Sequence, residues 1–152
     1  MFGKKKGQAT IEYLVLLAVA IIIALVIFAF MGWIPGFAGS LKERQVKLYW
    51  SSQYPIQIRE YKYSSDGNLS LQIQNVADYK ITITGINTSV NSSTGNFAVL
   101  PGESKIVSFT INPGCTTGNP YELSGVKINY NIENGLQNMV EAGDRPLVGT
   151  CQ

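Results

Sequence analysis

LVLLAVAIIIALVIFAFM, residues 14 to 31, is a run of 18 residues without one polar side chain. As an α-helix it rises ~27 Å, close to the ~30 Å thickness of a bilayer's hydrocarbon core. Its apolar character extends around the whole circumference, so each face needs lipid or other protein against it, and a helix lying flat on a surface is excluded. Upstream stand Lys4, Lys5 and Lys6, and no further cation occurs until Lys42. That asymmetry places the N-terminus on the cytoplasmic side and the chain beyond the helix outside.

The remainder of the 152 residues has room for a single domain of about 100 residues. Charged residues are 14% of the chain and the net charge is +2, which gives no electrostatic case for a nucleic-acid partner. There is no histidine, so the commonest general base and metal ligand is missing, and with it the Ser-His-Asp arrangement. Asp66, Asp78, Glu103, Glu122, Glu133, Glu141 and Asp144 supply carboxylates, but their spacing pairs no two across a cleft as glycoside hydrolysis would need. LPGES around Ser104 reads as turn chemistry before a strand. These features argue against an enzyme, and no cofactor or metal site is expected.

Gly32, Pro35, Gly36 and Gly39 interrupt the apolar run, and LKERQVKLYW (41–50) then resumes an amphipathic helical pattern, so a kink at Pro35 is predicted. From Pro55 onward the pattern changes to alternating segments, IQIREYKY, LSLQIQN, YKITITGI, KIVSFTI, VKINYNI and LQNMVEA, closed by PLVGTC. Period-2 alternation punctuated by SDGN, SSTGN, LPGES, NPGCTTGNP and ENG predicts about seven antiparallel strands. SDGN and ENG read as hairpin turns, and Pro101-Gly102 suits the central positions of a type II turn. The expected fold class is α+β: a long N-terminal hydrophobic helix, then an antiparallel β-sandwich head of Ig-like kind.

The most specific stretch is KKKGQATIEYLVLL, Lys4 to Leu17. It resembles the class III signal peptides of archaeal type IV pilins, in which a basic leader ending in Gly precedes Gln, a small or hydroxyl residue, Glu-Tyr and an apolar helix. Gly7, Gln8, Thr10, Glu12 and Tyr13 carry the resemblance, which covers the first third of the chain. It implies that a prepilin peptidase, recognising Lys6, Gly7 and Gln8, cuts after Gly7 on the cytoplasmic face and leaves the helix in the mature protein. A secretory signal would instead lose the apolar region by a cut near Gly36-Phe37-Ala38, but its apolar region is usually shorter than this run.

Glu12 is the only charge between Gln8 and Leu41. A carboxylate inside the membrane edge is costly without a partner, whereas snorkelling to the headgroups is the plain alternative. The resemblance implies that the new amino group of Gln8 pairs with Glu12 of an adjacent subunit. If Gln8 cyclises to a neutral pyroglutamate, hydrogen-bond donors such as Thr10 or Tyr13 of a neighbour take that place.

Cys115 and Cys151, the only cysteines, both fall in the part placed outside the cell and read as one disulfide. Three sequons, at Asn68, Asn87 and Asn91, offer N-glycosylation sites.

The expected organisation is therefore a leader over 1–7, a transmembrane and filament-core helix over 8–50, and an external head over 51–152. The expected function is a structural subunit of a surface filament serving adhesion. Its partners would be copies of itself, the membrane before assembly, a prepilin peptidase, an assembly ATPase and a membrane platform protein. Two rivals share much of the pattern: an archaellin of a motility filament, and a membrane-anchored pseudopilin-like binding module.

Overall fold

The computed structural model describes the backbone of residues 3–32 and 35–152 and the side chains of residues 7–30 and 41–152. Helix α1 covers Gly3–Gly32 and α2 covers Pro35–Ser51. The kink expected at Pro35 depends on residues 33 and 34 and lies outside the described residues. Helix α1 begins earlier than the expected start near Gln8, so the basic leader continues the same helix. The chain divides into two units, Met1–Ala38 and Gly39–Gln152.

In the second unit α2 is followed by antiparallel strands β1 (Ile56–Tyr63), β2 (Asn68–Asn75), β3 (Ile81–Asn87), β4 (Ser92–Val99), β5 (Ser104–Thr110), β6 (Pro120–Leu123), β7 (Lys127–Ile132), β8 (Met139–Ala142) and β9 (Leu147–Thr150). They form sheets of order β1-β2-β5, β4-β3-β7-β8 and β6-β9. Among the described residues nine strands stand where seven were expected. The additions are β4, whose SSTGN was read as a turn, and the four-residue β6. Ser, Gly and Asn give β4 little strand propensity of its own, and its pairing along β3 supplies the order instead.

Alternation explains which side chains are buried, and its breaks explain the bulges. In β1 the apolar positions are 56, 58, 61 and 63, and the register slips between Ile58 and Glu60, so Arg59 is the extra residue. In β3 they are 81, 83 and 86, and the slip falls between Ile83 and Gly85. Each bulge resets the side-chain parity so that the next large residue returns to the interior. Ile56, Ile58, Leu69, Leu71, Ile73, Ile81, Ile83, Ile86, Val107 and Ile128 are all at most 1% exposed and belong to one core cluster. At ~1.5–3 kcal/mol for each such side chain, this burial is the main stabilising term of the head.

The turns follow their sequence chemistry. Gly67 at φ 84° closes the β1–β2 hairpin. Gly102 at φ 74°, with the Glu103 amide donating to Leu100 O at 3.0 Å, makes Leu100 to Glu103 the expected type II turn. Buried Asn75 fixes the neighbouring loop, donating to Tyr79 O and Val99 O and accepting from the Ala77 amide.

Candidate functional site

Gly7, Gln8, Thr10, Glu12 and Tyr13 all lie on α1. Gln8 and Glu12 are four apart, hence on one face, a single turn from each other. From Gln8 to Phe30 every side chain is exposed. Among the described residues, Glu12 takes part in no ion pair. A Cβ built on Gly7 would meet no heavy atom within 4 Å. Packing within the chain therefore does not explain glycine at the position before Gln8, and glycine costs a helix ~1 kcal/mol relative to alanine.

The helix itself carries the larger signal. The stretch Gly7–Phe30 has a mean hydropathy of 3.2 over its best window, with none of it buried. Of the 23 large hydrophobic side chains exposed among the described residues, 15 are on α1. That much apolar surface is stable only in lipid or against other protein.

Within the second unit, the end of α2 docks on the strands. Val46 and Trp50 enter the core at 2% and 0% exposure. Lys47 bridges Glu43 at 3.3 Å and Glu60 at 3.0 Å and lies over the Tyr61 ring, while Lys42 reaches Glu122 at 3.0 Å. The Glu60 carboxylate is the main cause of a raised Lys47 pKa. Tyr61 donates to Val148 O at 2.6 Å, and burial pushes its phenol up to about 12. The Asp144 amide donates to the Tyr49 hydroxyl at 2.9 Å, and the Trp50 ring covers Gly143.

The cysteines are joined: Cys115–Cys151 is a disulfide with Cα atoms 5.8 Å apart. The sequons differ in setting. Asn68 opens β2, and the next residue, Leu69, is fully buried; Asn87 ends β3 half-buried; Asn91 is exposed in the loop from β3 to β4. Four of the candidate carboxylates have structural partners. Asp66 accepts from the Asn68 amide and Glu103 from the Leu100 amide, Glu122 pairs with Lys42 and Glu133 with Lys80. Among the described residues no cluster of His, Cys, Asp or Glu has metal-binding form.

Shallow clefts among the described residues of the head include these two. One of about 280 Å³ lies among Glu43, Tyr61, Lys62, Tyr121 and Gln152. The other, about 400 Å³, is floored by Gly85 between Thr94 and Asn129.

The sequence shows Glu141 only as one carboxylate among seven, not as a buried one. Glu141 on β8 is only 8% exposed, and burial pushes its carboxyl up to about 7. Period 2 puts Glu141 on the same face as Met139, which packs against the core, but LQNMVEA alone does not say which face is inward.

No protein-family model matches this chain, and no curated protein matches it. The pilin resemblance is therefore carried by the residues of the N-terminal segment themselves.

Proposed function

We propose that this chain is the structural subunit of an archaeal type IV pilus-like filament: α1 polymerises in a helical core and an Ig-like β-sandwich head faces outward for attachment. The observation that carries this reading is a helix exposed and apolar on all sides with a single carboxylate, Glu12, one turn from Gln8. Lipid covers such a helix before assembly and neighbouring helices cover it afterwards. Because lipid tails and side chains are similarly apolar, packing and polar contacts set the register between helices. Glu12 is the one charge available for that role, with the Gln8 amino group released by cleavage after Gly7 as its partner. The glycine that packing does not require fits recognition by a prepilin peptidase. An assembly ATPase and a platform protein would supply the work of extracting subunits from the membrane. Asn91, at an exposed loop, is the most accessible glycosylation site of the three.

The test is Glu12→Leu in the native host. The expected outcome is loss of surface filaments, with the subunit retained in membranes and its mature N-terminus still at Gln8. Filaments of normal number and length would overturn the reading.

A further inference from the structure

The joint where α2 meets the strands contains a carboxyl that the filament reading does not use. Glu141 points inward from β8, opposite Ile128 on β7. Its Oε2 accepts from the Ile56 amide at the start of β1 at 3.2 Å. Its Oε1 is buried and has no hydrogen-bond partner among the described residues, and the same holds for the indole Nε1 of Trp50 at the end of α2. Two residues after Glu141, Gly143 lies beneath the Trp50 ring, and the Asp144 amide holds the Tyr49 hydroxyl. One short segment, residues 141–144, thus ties β1 and α2 to the edge of a sheet.

No cation compensates Glu141. Among the described residues no ion pair includes it. Around it, β7 contributes the Tyr130 phenol, itself raised first by burial and then by Glu141, and Tyr54 stands next to Tyr130. Beyond them Tyr79 is bonded to Tyr54, with Asp78 close by. Lys127 on β7 is opposite Ala142 and exposed. Asp144 and Arg145, next along the chain, are exposed too, and Lys47 on α2 is engaged by Glu43 and Glu60. The surroundings are therefore neutral phenols and apolar side chains. A neutral carboxyl is tolerated there with one hydrogen bond, whereas a carboxylate is buried without a counter-charge.

We propose that Glu141 is a protonation-controlled latch: the neutral carboxyl holds segment 141–144 against Trp50 and Ile56, and its ionisation releases that segment from the joint. Release is local because β8 is four residues long, pairs only with β7 and forms the sheet edge. Water reaches the carboxylate when this strand lifts, with the central strands β2, β3 and β7 left in place. The latch belongs to the head and does not depend on polymerisation.

The test uses the full-length chain in a non-ionic detergent, with Trp33→Phe leaving Trp50 as the sole tryptophan. Acrylamide quenching of Trp50 is expected to be low at pH 5 and to rise with a midpoint near 7. With Glu141→Gln added, it is expected to stay low through pH 9. A flat profile without the Gln substitution, or the same midpoint with it, overturns the proposal. Should the Gln variant fail to fold, amide exchange in the Trp33→Phe protein decides. Between pH 4.5 and 7, the protection of the Ile56 and Gly143 amides is expected to fall by up to about tenfold per pH unit, as release of one proton requires, and to level off above 7, with Leu71 and Ile83 unchanged. Parallel behaviour of all four amides also overturns it.

Discussion

Gly143→Ala isolates the contact on which the docking of α2 most depends. A Cβ added there would fall inside the contact radii of Trp50 Cη2 and Cζ2 and 2.9 Å from Cζ3. The ring has no room to retreat, since Trp50 is fully buried and packs edge-on against Tyr49 at 5.5 Å between centroids. Overpacking of this kind costs ~1–3 kcal/mol, and expelling the indole altogether would approach the ~3–5 kcal/mol of a Trp→Ala change. An expected loss of about 3 kcal/mol lowers the melting temperature of a domain of about 110 residues by roughly 12 °C. The assay is thermal unfolding of the detergent-solubilised chain followed by near-ultraviolet circular dichroism. Trp50→Phe is the second arm, because the smaller ring vacates the space the new methyl needs. The double substitution is expected to be no less stable than Trp50→Phe alone, a coupling of about 3 kcal/mol between the two positions. Strictly additive effects, or a change below about 0.5 kcal/mol for Gly143→Ala, would refute the steric account and leave the glycine unexplained.

Two other outcomes follow from the head. Glu141 has a folded-state pKa raised from 4.5 to about 7 by burial, so its contribution is fully present below 4.5 and is lost as pH rises through 7. The loss is on the order of 3 kcal/mol, read as a fall in urea midpoint between pH 4.5 and 8, and Glu141→Gln should flatten that fall. Replacing both Cys115 and Cys151 by Ser opens a loop spanning 36 residues and should cost about 4 kcal/mol in the chain-entropy account, measured as a lower urea midpoint with an unchanged pattern of backbone circular dichroism.

How much of this was legible in advance depends on how local the cause is. The apolar helix, the turn at Pro101-Gly102 and most of the strands follow from spacing within a dozen residues, and even the bulges are written as breaks in alternation at Arg59 and Thr84. The strand Ser92–Val99 was missed because its order comes from β3 rather than from its own side chains. Pairing of the cysteines was legible because only two exist. The α2 joint was not: Trp50 and Gly143 meet across most of the domain, and a glutamate in LQNMVEA is equally compatible with solvent or interior until the strand's facing is known. Glu12 stood out for the opposite reason, as the one charge in the long stretch between Gln8 and Leu41.

The two units divide the physical work in a way that bears on assembly. From Gly39 onward the chain holds nine Lys or Arg and nine Asp or Glu, so the head is formally neutral. Neutral heads meet without long-range repulsion, and equally without an electrostatic field to steer them into register. Four ion pairs among the described residues absorb seven of those charges within the head, which leaves still less for contacts between subunits. In a filament built from this chain, alignment must then come from the helices, whose apolar surfaces are nearly uniform along their length. A uniform surface slides. The single carboxylate near the end of α1, with Thr10 and Tyr13 beside it, would then be what makes one register differ in energy from the next, and that is why so much of the proposed function rests on Glu12.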